Sequence, residues 1–99
     1  MSLLVARGQL ADIVAIVHDS GFTVTVDGSS DVFVEGLPIH RVDDLNLAHK
    51  YGDGVHGGTP LETGSSTVFA NGKAVGRFTD PYTCGAIVGI VTQTTVFSG

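Results

Sequence analysis

The sequence predicts a single all-β domain of short strands and hairpins with pseudo-threefold symmetry. Three observations lead there. Short β-branched runs are bounded by turn residues, and 14 glycines punctuate the 99-residue chain. Helical periodicity is weak, and the best helical candidate, residues 10–17, is short. One strand phrase also recurs three times along the chain.

In chain order, the first strand is predicted at residues 22–26, where Phe22-Thr23-Val24-Thr25-Val26 lies between Gly21 and Asp27-Gly28. Residues 31–35, 67–70, 86–91 and 95–97 read the same way. Ser29-Ser30-Asp31-Val32-Phe33-Val34-Glu35-Gly36 matches Ser65-Ser66-Thr67-Val68-Phe69-Ala70-Asn71-Gly72, and Thr94-Thr95-Val96-Phe97-Ser98-Gly99 is a truncated third copy. An Arg and an Asp follow the first two copies at fixed offsets, Arg41 with Asp44 and Arg77 with Asp80. Arg7 and Asp12 form a leading copy with two extra residues. Three similar rounds in one chain point to pseudo-threefold symmetry. A meander of similar hairpins without symmetric closure is the alternative left open by the repeat alone.

Residues 1–99 are expected to form one domain. A core this small is marginal, and domains of this size often rely on a disulfide, a metal or a partner. Cys84 is the only cysteine, so an internal disulfide is excluded, while four histidines make a metal the next candidate. A net charge of -5 and the lack of a basic run argue against nucleic-acid binding. Only 15 % of residues are charged, and mean hydropathy is positive, which fits a surface covered by a partner, although a Gly- and Val-rich β fold would give a similar number. The longest apolar run, residues 86–91, falls far short of the roughly 20 residues of a membrane span. No basic region precedes Leu3-Leu4-Val5, so no signal peptide is read, and folding in the cytoplasm with a reduced Cys84 is expected.

The loops after each Arg…Asp stretch carry the candidate chemistry. His18 follows Asp12 by six residues, His49 follows Asp44 by five, and Cys84 follows Asp80 by four. If the three rounds are equivalent in space, these side chains can converge. His56 lies in the same glycine-rich loop as His49 and can supply a fourth donor. Three imidazoles and a thiolate make a closed tetrahedral set, the usual arrangement of structural zinc, with iron less well suited. Each residue taken singly has a plainer reading: a hydrogen-bonded or surface histidine, and a buried apolar thiol. The shared phase in the repeat favours the joint reading. His40 lies inside the strand phrase, before Arg41, where the second round has Gly76. It is read as structural, and it is the substitute should one of the four ligands be wrong.

These residues resemble a known family. Val32-Phe33-Val34-Glu35-Gly36-Leu37-Pro38-Ile39-His40-Arg41 is similar to an aromatic strand, a glycine turn and the Pro-Ala-Ala-Arg phrase of PAAR-repeat spike-tip proteins. The second round through Lys73-Ala74-Val75-Gly76-Arg77, the Gly64-Ser65-Ser66 turn and Asp80-Pro81 before Cys84-Gly85 are similar as well. The chain keeps only the Pro and Arg of the name motif in Pro38-Ile39-His40-Arg41, and Ala74 replaces the second Pro. The resemblance implies a conical β domain with a metal near its apex. It implies a mechanical role: capping and sharpening the trimeric β-helical spike of a contractile injection machine, without catalysis. Threefold rounds in one chain predict one copy per spike trimer, with transient envelope penetration and no stable membrane anchoring.

An enzyme would need an activated nucleophile or an open metal. Cys84 with a histidine lacks a third orienting residue, Asp53-Gly54 lacks the pattern of a calcium loop, and the glycine-rich stretch lacks a phosphate-loop ending. Because the sequence stops at Gly99, just after the third strand, a bare tip in a phage tail baseplate is expected. A type VI secretion tip or effector adaptor, made in the bacterial cytoplasm and then secreted, is the alternative.

Overall fold

The computed structural model describes residues 3–16, 21–51, 54–56, 58–93 and 95–99; for 49–51 and 54–56 it describes the backbone. All regular elements among them are short strands: β1 (Leu3–Leu4), β2 (Ile13–Ile16), β3 (Gly21–Val24), β4 (Phe33–Val34), β5 (Leu37–Pro38), β6 (His49–Tyr51), β7 (Gly54–His56), β8 (Phe69–Ala70), β9 (Lys73–Ala74), β10 (Ile87–Ile90) and β11 (Phe97–Ser98). The helical candidate at residues 10–17 is overturned over its described residues, 10–16. Gln9 and Leu10 take positive φ (54° and 64°), which an α-helix does not allow, and Ile13–Ile16 buries every second residue as strand β2.

Three two-stranded units repeat along the chain. β4 pairs with β5 and β8 with β9 around the two-residue turns Glu35-Gly36 and Asn71-Gly72. All four turn residues have positive φ, the backbone of the tight turn that matches strand twist. The third pair is non-local, β1 with β11, Leu4 facing Phe97.

Each unit feeds a segment that runs across the molecule, 5–7, 39–41 and 75–77. Isolated bridges join them in a triangle, Val5 to Arg77, Arg7 to Ile39 and Arg41 to Val75. The hydrogen bonds form a closed cycle. Ala6 N donates to Gly76 O at 2.9 Å, Gly76 N to His40 O at 2.8 Å, and His40 N to Ala6 O at 3.0 Å. A second cycle lies one step on, with Gly8 N to Pro38 O, Val42 N to Ala74 O and Phe78 N to Leu4 O, each 2.8 Å. The meander without symmetric closure is thereby excluded. Ala6, His40 and Gly76 occupy equivalent positions, and only one of them is large. A Cβ on Gly76 would lie 2.7 Å from the Leu61 side chain.

The Arg…Asp stretches turn the chain at each corner. Arg41 N donates to Asp44 Oδ2 at 2.8 Å, and its guanidinium grips both carboxylate oxygens. Arg77 repeats this with Asp80. At the leading corner Arg7 N still donates to Asp12 Oδ2, at 2.6 Å, but the two extra residues move the guanidinium away. It donates instead to Thr92 Oγ1 and the carbonyls of Val34 and Glu35, and Thr92 takes over Asp12 Oδ1.

The serines that open the strand phrase are buried and act alike. Ser29 Oγ accepts from the amides of Asp31 and Val32, and Ser65 Oγ accepts from those of Thr67 and Val68. In the third round Gln93 takes this part. Its Oε1 accepts from Thr95 N and Val96 N, and its Nε2 donates to Val5 O, as the serine amides donate to Ile39 O and Val75 O.

Two cores fill the frame. Val5, Val34, Ile39, Ala70 and Val75 pack at the hairpin end, and Ala6, Val14, Leu61, Tyr82, Ala86 and Val88 at the other. Removing one carboxylate from a corner strands a half-buried guanidinium and a backbone amide. Asp44→Ala and Asp80→Ala are therefore expected to cost about 3 kcal/mol each in urea unfolding, whereas Glu62→Ala, on an exposed side chain, should change stability by under about 0.5 kcal/mol. Equal effects of the three substitutions would contradict the corner model.

Candidate functional site

Three loops leave the corners and pass to the end opposite the hairpins. The first contains β2 and β3, paired with Ile16 opposite Gly21. The second, residues 45–60, contains the β6–β7 hairpin. The third is a tight turn from Pro81 to Ile87, closed by Tyr82 N donating to Ala86 O and by Gly85 at φ 92°. The loops are themselves joined in a cycle, Thr25 with Asn46, Leu61 with Tyr82, and β10 with β2.

The four predicted ligands fall on these three equivalent loops. His49 and His56 are direct partners across β6–β7. Cys84 sits half-buried at the third turn, packed against the Leu61–Tyr82 core cluster. His18 falls in the four residues between Ile16 and Gly21 and lies outside the described residues. Among the described residues no group of three potential metal-ligating side chains converges.

Two residues outside the predicted set bear on Cys84, Thr59 directly and Asn46 through it. Thr59 Oγ1 donates to Cys84 Sγ at 3.2 Å. Thr59 is held by the buried Asn46, whose Oδ1 accepts from Thr59 N at 2.9 Å and whose Nδ2 donates to Thr59 Oγ1 at 3.0 Å. Thr83 N donates to Pro60 O at 3.0 Å, which ties the third turn to the second loop directly. A thiolate and imidazoles are the donor types that would suit a soft metal; of the proposed set the described residues place the Cys84 thiol and its Thr59 hydroxyl donor.

His40 is structural. It is fully buried, its Nδ1 lies 2.6 Å from Asp27 O, and its Nε2 lies 2.8 Å from Tyr82 Oη. The carbonyl can only accept, so Nδ1 carries the proton and Nε2 accepts from the tyrosine. Burial pushes the tyrosine hydroxyl up, which keeps it protonated as a donor. Neither imidazole nitrogen is left for a metal, so His40 does not substitute for a ligand.

The closed triangle of strands with loops rising from its corners defines a β scaffold built from repeats. The family model of the PAAR motif matches residues 15–90, and the chain belongs to that family. The matched span runs from within β2 to the end of β10, so the β1–β11 pair that closes the third unit lies outside it. The family is one of structural spike-tip components of contractile injection machines. Among curated proteins none matches the chain.

Burial lowers the His40 pKa from its ordinary value, outweighing the Asp27 carbonyl and the nearby carboxylates of Asp44, Asp12 and Asp27, which raise it. The folded value thus lies below the unfolded one. Its contribution to stability is complete above about pH 6.5 and is lost as pH falls below that value. Thermal melting between about pH 7.5 and 5 should show a steeper acid loss in the wild type than in His40→Gln. Parallel curves would remove His40 as a source of acid sensitivity.

Proposed function

We propose that this chain caps the trimeric β-helical spike of a contractile injection machine, one copy per trimer, and narrows it to a point. The hairpin end meets the spike, and the loop end leads. The carrying observation is a threefold set of exposed aromatic side chains. Phe33, Phe69 and Phe97 stand at equivalent hairpin positions and are 55, 58 and 54 % exposed. Val32, Val68 and Val96 beside them are exposed as well, while Val34, Ala70 and Ser98 turn inward. Apolar groups repeated in threefold register fit a trimer end whose three chains present the same surface. Phage tails and type VI secretion systems both present such a spike, and the reading serves either one.

The same proposal includes one structural zinc ion held by His18, His49, His56 and Cys84. Three loops that rise from one cyclic frame can meet above it, and directly opposed positions are the closest neighbours across an antiparallel pair. The ion would pin the loop tips to one another. Four protein ligands leave no open position, so the role is mechanical.

Two measurements test these proposals. Purified protein should carry close to one zinc per chain by elemental analysis, and Cys84→Ser should lower the melting temperature sharply, since a structural zinc contributes on the order of 10 kcal/mol. A metal-free protein that is fully folded would refute the metal; iron in its place would change only the identity. The mass of the complex co-purified with the cognate spike should show one copy per trimer. Phe33→Glu, Phe69→Glu or Phe97→Glu should weaken binding by roughly tenfold or more with little change in melting. Three copies per trimer, or undiminished binding by all three variants, would overturn the capping model.

A further inference from the structure

We propose that Thr59 is a positioning residue for the thiolate: its hydroxyl donates a fixed hydrogen bond to Cys84 Sγ and thereby sets the affinity and electronic character of the metal site. This rests on the reading of Cys84 as a metal ligand.

The hydroxyl is not free to choose its acceptor. Asn46 Nδ2 donates to Thr59 Oγ1 at 3.0 Å, so the oxygen already serves as an acceptor there and must point its own hydrogen elsewhere. The sulfur lies 3.2 Å away. Asn46 is rigid in turn, being 1 % exposed, with its Oδ1 accepting from Thr59 N at 2.9 Å and its backbone amide donating to Thr59 O at 3.1 Å. A pairing that uses both the side chain and the backbone of Asn46 thus aims one hydrogen bond across from the second loop to the third.

The position of the pair gives it reach. Asn46 leads into β6 and Thr59 follows β7, so the clamp joins the two legs of the hairpin that carries His49 and His56. One residue then ties three of the four proposed ligands together. A donor to a ligating sulfur withdraws charge from it and fixes its lone pairs, and loss of such an outer partner typically costs roughly 10- to 100-fold in metal affinity.

The test uses the full chain with cobalt(II) as a spectroscopic probe and zinc for affinity. Thr59→Val keeps the shape and the backbone half of the clamp and removes the donor. Its sulfur-to-cobalt charge-transfer band should move to lower energy, and competition with a chromophoric chelator should show zinc bound roughly 10- to 100-fold more weakly. Thr59→Ser, which restores the hydroxyl, should return both quantities toward wild type, a rescue that a purely space-filling role would not produce. If Thr59→Val does not fold, Thr59→Ala carries the same comparison. A wild-type band and affinity in the variant would overturn the role of Thr59 while leaving the metal site standing. Absence of any sulfur-to-cobalt band in the wild type would instead remove Cys84 as a ligand, and this inference with it.

Discussion

The structure depends on a cycle of three backbone hydrogen bonds, Ala6 to Gly76, Gly76 to His40 and His40 to Ala6. No hairpin can make it alone. Each of the three residues commits both its amide and its carbonyl to different partners, so losing any one opens two bonds. Buried backbone groups left without partners are costly. The cycle therefore makes three weak strand pairs, each too small to be stable singly, into one cooperative unit. The side chains at its three equivalent positions differ because each meets different neighbours. The His40 ring turns to Asp27 O and Tyr82, whereas a side chain on Gly76 would run into Leu61.

Much of this was legible in the sequence. The strand phrase and the Arg…Asp offsets identified units that prove equivalent in hydrogen bonding, because each residue in them satisfies a particular backbone group. Asp44 and Asp80 cap the corner amide, and Ser29 and Ser65 cap the strand entry. The third round was harder to read because it keeps the hydrogen bonds and changes the residues. Gln93 reproduces a serine hydroxyl and a backbone amide with one carboxamide. Thr92 stands in where the Arg7 guanidinium has moved away. Residue identity does not reveal such substitutions; they follow from counting donors and acceptors. The strand at Ile13–Ile16 was obscured by a short helical pattern, and the positive φ of Gln9 and Leu10 that prevents a helix is not marked by glycine.

The candidate site was legible in part, for a related reason. The repeat phase put the proposed ligands on corresponding loops, and the register sets His49 opposite His56. His40, outside that phase and read as structural, was also the reserve ligand, since sequence cannot distinguish a histidine with both nitrogens engaged from one with a nitrogen to spare. Asn46 and Thr59 carried no signal of their own. They are ordinary loop residues thirteen positions apart, and their importance comes from a non-local pairing.

The β1–β11 pair has a consequence for how the protein is made. Its two strands lie far apart in the sequence, and the cycle through Ala6 relies on the segment that β1 leads into. During synthesis the hairpins around Glu35-Gly36 and Asn71-Gly72 can form as soon as they emerge. The third strand pair, unlike the triangle itself, stays open until Phe97 and Ser98 have left the ribosome. Closure of that pair is governed by an encounter between distant segments, slower than local hairpin formation. A nascent chain that still lacks β11 holds two matched strand pairs and leaves β1 without its partner strand.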